Sequence, residues 1–382
     1  MRASWSLLIA VLVGCGANGG ATVDATGASA ADAPGDGAQA CVDPPGTVVP
    51  PTFEKHTIAS AVARNAVCND GSPGIYYLRR GTGCGATRWV IGLEGGGSCS
   101  SDAECAARTQ GLTSSIDKPA TLTLHGIFDG DATANPDFFT SNEVYVDYCT
   151  SDNWAGHRAA SAATNNFAFR GADLVRAVFE DLRDPAITGD ANIGTATDVL
   201  LVGSSAGGLG VLANADRLAT ALPDAQVRAL DDAGWVPDIL GYAPPGEPGL
   251  PVYTEFDARF AYWGALPDDS CAALETADPG RCMIGPLLLP RLTVPLFVHQ
   301  DQRDPVQLKM LGGNTDTAYK TMFAGAIKTS LGPVSGVFSP SAGDHGLVFS
   351  TDFPVRTLGG VTYREAVGNW YFARSGASHI IE

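Results

Sequence analysis

Hydrophobic and polar positions alternate with two different periods along this chain. Short apolar runs bounded by Gly, Asp or other polar residues predict buried strands at 87–93, 143–148, 198–202, 227–230 and 294–299. Longer segments with apolar residues three and four positions apart predict helices at 101–110, 167–183 and 207–222. Short strands that alternate with helices are typical of a mostly parallel sheet covered by helices on both faces. We therefore predict an α/β fold.

A Pro-rich, irregular stretch interrupts this alternation at about 236–290. It is too long for a plain connection between two elements of a compact domain. We predict that it forms a cap inserted beside the functional site.

The N-terminus has the pattern of an export signal. Arg2 precedes an apolar run at 5–13 that is too short to span a bilayer. The run ends in Leu12-Val13-Gly14-Cys15, which resembles the bacterial lipobox, in which the Cys is acylated and becomes the mature N-terminus. The alternative is an ordinary signal peptide that contains a Cys. Residues 16–40 are mostly small and polar and predict a disordered tether, which leaves 41–382 as the folded domain.

Composition and charge exclude several classes of function. Hydrophobic residues make up 45% of the 382 residues, enough for a large core, and the net charge is −17 with a pI near 4.6. Such a chain is a poor partner for nucleic acid and for anionic membrane surfaces. The sequence contains no basic run, P-loop or HExxH motif. We expect no nucleic-acid partner, no metal and no cofactor.

The cysteines also favour export. Without Cys15, eight of the nine remain, and an even set in an exported chain predicts disulfides. Cys99 with Cys105 and Cys271 with Cys282 are close enough to form local pairs. The sequence leaves the pairing of the other four open: Cys41, Cys68, Cys84 and Cys149.

Candidate chemistry begins at a GxSxG motif at 203–207. An apolar strand enters this motif and an Ala- and Leu-rich helix leaves it, which is the strand–turn–helix setting of a nucleophile elbow. Small residues at Gly203 and Gly207 would permit the tight turn. The register of the elbow favours Ser205 as the nucleophile, with Ser204 as the alternative.

A serine nucleophile needs a histidine base and a carboxylate that holds its tautomer. Downstream of Ser205 the chain contains only His299, His345 and His379. His299 lies within an apolar strand and His379 is three residues from the C-terminus, so His345, in a loop of small residues, is the preferred base. The acid should follow the strand that ends at His299. Asp301 and Asp304 both qualify.

Several segments resemble motifs of the pectin acetylesterase and Notum family of serine carboxylesterases. The resemblance rests on Glu94-Gly95-Gly96-Gly97-Ser98-Cys99 with Cys105 and Arg108, on 148–152, 203–209 and 232–235, on Arg303-Asp304-Pro305-Val306-Gln307 and on Asp344-His345. It implies an α/β-hydrolase fold and places the acid on Asp304. It also implies an oxyanion hole built from the backbone N–H groups of Gly96, Gly97 and Ala206.

The chain departs from the family pattern beside the proposed site. Ser98 stands where the family has Trp, the family's YCDG motif is YCTS here, and no Cys follows His345. The first change removes an aromatic wall. The net charge argues against tight binding of a polyanionic substrate unless arginines such as Arg158 or Arg170 line the substrate groove.

We expect an exported esterase that hydrolyses acyl groups, above all acetyl groups, of a carbohydrate or small ester. A lipid, polyester or protein-acyl carboxylesterase is the alternative, and a surface lipoprotein that binds without turnover is a further one. We expect a monomer in the bacterial cell envelope or secreted, with contact to the membrane only through a lipid anchor.

Overall fold

A computed structural model describes residues 43–189 and 191–382. The predicted signal segment 1–15 with Cys15 and the predicted tether 16–40 lie outside the described residues. The strands are β1 Phe53–Thr57, β2 Ile75–Arg79, β3 Arg88–Leu93, β4 Thr121–Leu122, β5 Asn142–Val146, β6 Asp198–Ser204, β7 Gln226–Asp232, β8 Leu296–His299, β9 Gly336–Ser339, β10 Thr357–Leu358, β11 Val361–Thr362 and β12 His379–Ile381. The α-helices are α1 Asp102–Ala106, α2 Gly171–Asp181, α3 Pro185–Thr188, α4 Ala206–Ala221, α5 Tyr253–Trp263, α6 Asp269–Ala272, α7 Gly285–Leu288, α8 Pro305–Met310, α9 Thr317–Ser330 and α10 Tyr363–Tyr371.

Ten of these strands form one sheet in the order β12-β9-β8-β7-β6-β3-β5-β2-β1-β4, and β10 pairs with β11 separately. The strands from β12 to β5 in this order run parallel, whereas β2, β1 and β4 are added by antiparallel pairing. The predicted mostly parallel sheet is confirmed. Because parallel strands place their carboxyl ends at one edge, the loops after β3, β6, β8 and β9 meet there.

The sheet separates two hydrophobic layers. Alternate residues of β6 enter opposite layers: Val199 and Leu201 pack on one side, and Leu200 and Val202 on the other. This alternation follows from the period of two residues in a strand. The first layer is covered by α2, α4, α5 and α9, and the second mainly by α10. The sheet is therefore covered on both faces, as in an α/β-hydrolase.

Some predicted bounds were wrong. The helix predicted at 101–110 ends at Ala106, and that predicted at 167–183 begins at Gly171, because Phe169 pairs with Arg158 in an extended bridge. The patterns of β1, β2 and β12 were missed. These strands are short and lie toward the two ends of the sheet, where pairing with neighbours far along the chain determines the structure.

Three disulfides lie within the described residues. Both local pairs are bonded, Cys99 to Cys105 and Cys271 to Cys282. A third bond joins Cys68 to Cys149, which are 81 positions apart. Cys84 is also disulfide-bonded. Bonds of this kind are typical of exported chains.

The stretch at 236–290 contains α5, α6 and α7 together with the Cys271–Cys282 bond. Phe256, Phe260 and Trp263 of α5 pack into the first hydrophobic layer. Over 43–189 and 191–382, no helix combines the length and apolar character needed to cross a membrane.

Candidate active site

Ser205 occupies a sharp turn between β6 and α4. Its φ of +59° is a left-handed conformation that side chains with a Cβ rarely adopt. The turn depends on glycine at two positions: a Cβ on Gly203 would lie 2.2 Å from the carbonyl oxygen of Gly207, and one on Gly207 would lie 2.0 Å from that of Leu93. The Ser205 N–H donates to the carbonyl of Asp232 at 2.7 Å. These features are those of a nucleophile elbow.

His345 lies in the loop after β9 and faces the Ser205 hydroxyl. Its Nε2 is 2.7 Å from Ser205 Oγ, and its Nδ1 is 2.7 Å from Asp304 Oδ2. The imidazole is 19% exposed, whereas the Asp304 carboxylate is fully buried. The structure thus brings the three predicted residues into a hydrogen-bonded chain from hydroxyl to carboxylate.

Asp304 is held by donors on both of its oxygens. As the N-cap of α8, its Oδ1 accepts from the N–H groups of Val306 at 2.8 Å and Gln307 at 3.1 Å. Its Oδ2 accepts from Gln300 Nε2 at 3.0 Å as well as from His345. Four donors around a buried carboxylate fix its orientation.

The alternative candidates have other positions. Ser204 hydrogen-bonds to Asp232. Asp301 is buried against His299, 3.3 Å from its Nε2, and receives the N–H of Asp344 at 2.6 Å. His379 lies on β12, with its Nδ1 3.0 Å from the Val334 carbonyl oxygen. None of these residues contacts Ser205 Oγ.

The loop after β3 presents the predicted oxyanion donors. Gly96 and Gly97 have φ values of +142° and +65°, and a Cβ on Gly96 would meet Leu112 at 2.7 Å. Arg108 orients both peptide units by donating to the carbonyls of Gly96 at 2.6 Å and Gly97 at 3.4 Å. In the described part of the chain, the N–H groups of Gly96, Gly97 and Ala206 have no acceptor. Free N–H groups next to a nucleophile suit an oxyanion.

A loop with two left-handed residues also borders the cavity beside Ser205. Asn153 and Trp154 have φ values of +52° and +62°. Asp152 secures the loop by accepting from the N–H groups of Trp154 at 3.1 Å and Gly171 at 2.8 Å. Burial raises the pKa of Asp152 to about 7, against these hydrogen bonds. The Asn153 side chain is 3% exposed and donates to no described residue.

Ser205 and His345 open into a cavity of about 360 Å³. The apolar part of its wall consists of Leu209, Val236, Val306 and Met310. The polar part consists of Ser98, Asn153, Arg259 and Lys309. Arg259 Nη1 donates to Ser98 Oγ at 3.2 Å. Across 43–189 and 191–382, neither Arg259 nor Lys309 pairs with a carboxylate. Two cations without counter-ions therefore face the cavity.

Neither Arg158 nor Arg170 lines the cavity. Arg158 donates to the Ala261 carbonyl and Arg170 pairs with Asp173, both away from the cavity. Arg259 was missed because it lies within the irregular stretch at 236–290. Gln300, which donates to Asp304, was missed too, although the polar run 300–304 directly after a buried strand was a usable signal; His299 was weighed only as the base. Among the described residues, no cluster of His, Cys, Asp and Glu could hold a metal ion.

Comparison with known proteins gives consistent matches. A family model described as pectinacetylesterase matches residues 50–326. Palmitoleoyl-protein carboxylesterase Notum of Drosophila melanogaster is 30% identical over 337 residues, which are 84% of this chain and 49% of that protein. Pectin acetylesterase 11 of Arabidopsis thaliana is 28% identical over 356 residues, which are 83% and 87% of the two chains.

The solved structures include a similar fold. The structure of the Wnt deacylase Notum from Drosophila has a TM-score of 0.77 and 29% sequence identity, and the match covers 87% of this chain and 96% of that one. This chain spans about half the length of the Drosophila and human Notum proteins that it matches.

Proposed function

The chain belongs to the pectin acetylesterase family, and from this premise we propose that it is an exported serine esterase. Its catalytic triad is Ser205, His345 and Asp304. The observation that carries the proposal is the pair of 2.7 Å contacts that His345 makes, through Nε2 to Ser205 Oγ and through Nδ1 to Asp304. This is the geometry that a general base needs in order to activate a hydroxyl.

The reaction follows from this arrangement. His345 Nε2 takes the Ser205 proton while Oγ attacks the ester carbonyl, and Asp304 stabilises the imidazolium that forms. The negative oxygen of the tetrahedral intermediate binds the N–H groups of Gly96, Gly97 and Ala206. As the intermediate collapses, His345 protonates the leaving alcohol and an acyl-enzyme on Ser205 remains. His345 then takes a proton from water, which attacks the acyl carbonyl. As this second tetrahedral intermediate collapses, the bond to Ser205 Oγ breaks, His345 returns the proton to Oγ and the acid is released.

We propose that the substrate is an acetylated or otherwise short-chain ester of a carbohydrate. The polar wall supports this: Ser98 replaces the family's Trp, and Asn153 and Arg259 add hydrogen-bonding groups beside it. A carbohydrate hydroxyl can pair with such groups, whereas a fatty chain would leave them buried without partners. Arg259 and Lys309 also supply local positive charge for an acidic sugar, despite the net charge of −17.

A lipid, polyester or protein-acyl carboxylesterase is the second candidate. The apolar wall formed by Leu209, Val236, Val306 and Met310 favours it, and Val306 and Met310 remain 48% and 40% exposed. A binding protein without turnover is disfavoured because the hydrogen-bonded chain of three side chains would then have no use.

The test is a series of p-nitrophenyl esters from acetate to palmitate, followed by acetate release from acetylated pectin and acetylated xylan. We expect kcat/KM to fall steeply with chain length and to disappear in Ser205→Ala. Ser204→Ala is the matched control and should retain activity. A maximum at long chains would favour the second candidate, and unchanged activity in Ser205→Ala would refute the nucleophile.

The place of action is proposed separately. Three disulfides support export, and we propose that acylated Cys15 anchors a monomer in the bacterial cell envelope. Labelling of growing cells with a palmitate analogue should mark the wild type and not Cys15→Ser. Equal labelling of the two would refute the anchor.

A further inference from the structure

His299 lies at the carboxyl end of β8, below the loop that carries His345. It is fully buried, and its ring stacks on Tyr363 with the centroids 4.5 Å apart. Nδ1 makes a short hydrogen bond to Asp232, and Nε2 is 3.3 Å from the Asp301 carboxylate. One imidazole thus bridges the carboxylate of Asp232, the last residue of β7, and that of Asp301, which follows β8.

The two carboxylates hold the His345 loop. Asp301 Oδ2 accepts the N–H of Asp344, the residue before His345, at 2.6 Å. Asp232 Oδ2 accepts the N–H groups of Leu347 and Val348, the second and third residues after it, at 2.8 and 3.1 Å. The backbone is therefore anchored on both sides of His345.

Two buried carboxylates need positive charge nearby. Burial alone would lower the pKa of His299, but the charges of Asp232 and Asp301 and the hydrogen bond to Asp232 outweigh it and raise the pKa to about 9. Burial raises the pKa of Asp232, yet the pairing with His299 prevails and lowers it. The pairing with these side chains therefore favours the protonated form of His299.

The other charged or titratable groups at this bridge come from several elements. Burial raises the pKa of Asp231 on β7 well above its ordinary value. The Tyr363 hydroxyl of α10 donates to Asp232 at 3.3 Å, and burial raises its pKa. Arg356 lies 3.5 Å from Asp301 and 2.7 Å from Asp344. From β9 the bridge meets the neutral ring of Phe338.

We propose that His299 is a positioning residue for catalysis, which bridges the two carboxylates that fix the backbone on both sides of His345. The inference rests on the proposed triad. His345 has to stay within hydrogen-bonding distance of Ser205 and Asp304 at once, and a displacement of about 1 Å can cost roughly 100-fold in rate. Substrate does not touch His299, so its loss should lower kcat and leave KM nearly unchanged.

The first test compares His299→Gln and His299→Phe with the wild type on p-nitrophenyl acetate. Both variants remove the charge, and Phe keeps the stacking on Tyr363. We expect kcat to fall at least tenfold with KM within about threefold. His379→Gln is the matched control and should leave kcat unchanged. His379 is the first residue of β12, which runs parallel to β9, so it lies at the end of the strand away from the His345 loop. A folded His299 variant with kcat within twofold of the wild type would overturn the proposal, as would a rise in KM alone.

The second test uses the wild-type protein and so does not depend on the folding of a variant. In ¹⁵N-histidine NMR spectra, His299 should show two protonated ring nitrogens at pH 7 and titrate near 9. kcat should fall over the same range as the bridge loses its charge. A neutral His299 ring at pH 7 would overturn the proposal. If instead Ser205→Ala keeps full activity, the proposed triad fails, whatever the NMR spectra show.

Discussion

Replacing Asp304 by Asn should nearly abolish turnover, and the surroundings of Asp304 explain why. Its Oδ1 accepts two backbone N–H groups of α8, so the oxygen of an Asn side chain would have to occupy that position. The Asn NH₂ group would then face Gln300 Nε2 and His345 Nδ1. Donation from the Asn NH₂ group to Nδ1 would place the imidazole proton on Nε2. A protonated Nε2 could not accept the Ser205 proton.

The expected loss has a kinetic and a structural part. In serine hydrolases a carboxylate-to-amide change of this kind lowers kcat by about 10⁴-fold. Gln300 cannot turn its amide to relieve the clash, since its Oε1 already accepts from Gln307 at 2.9 Å. The NH₂ groups of the new Asn side chain and of Gln300 would then face each other, which should lower the free energy of unfolding by about 1–3 kcal/mol.

The assay is kcat/KM for p-nitrophenyl acetate at the pH optimum, together with urea unfolding of each variant. Asp352→Asn, which changes an exposed carboxylate without a partner among the described residues, is the control and should match the wild type. Asp301→Asn should cost less than Asp304→Asn, because Asp301 acts only through the His345 loop. The reasoning is refuted if Asp304→Asn keeps more than a tenth of wild-type activity or if Asp301→Asn is the more damaged of the two.

Three further predictions concern the elements around the triad. Gly203→Ala should disrupt the elbow and lower both activity and stability, since its Cβ would lie 2.2 Å from a backbone oxygen. Gly325→Ala, with no atom within 4 Å of its Cβ, is the control. Equal urea-unfolding midpoints for the two variants would contradict the prediction. Replacing Cys99 and Cys105 together by Ser should lower kcat by loosening the oxyanion loop. The same double change at Cys271 and Cys282 is the control and should leave kcat unchanged, and equal losses of kcat in the two double variants would contradict this role. Because burial raises the pKa of Asp152 to about 7 from an unfolded value near 4, the folded state binds the extra proton, and the free energy of unfolding should fall as pH rises from 4 to 7. Asp152→Asn should flatten this slope in urea titrations, and an unchanged slope would show that another group is responsible.

The sequence alone determined those features that depend on neighbours a few residues away. The apolar runs of β3, β5, β6, β7 and β8 were visible because buried parallel strands are hydrophobic throughout. The glycines around Ser205 and at Gly96 and Gly97 were visible because tight turns and close backbone approach require them. The two local cysteine pairs could be proposed from their spacing.

Only the tertiary structure decided how distant segments meet. Asp301 and Asp304 are three positions apart and equal candidates by residue type, and the fold alone turns Asp304 toward His345 and Asp301 toward His299. Arg259 reaches the cavity from an irregular stretch that has no periodic pattern, and Cys68 meets Cys149 across 81 positions. Periodicity and turn chemistry act within a few residues, whereas these contacts depend on the strand order and register of the whole sheet.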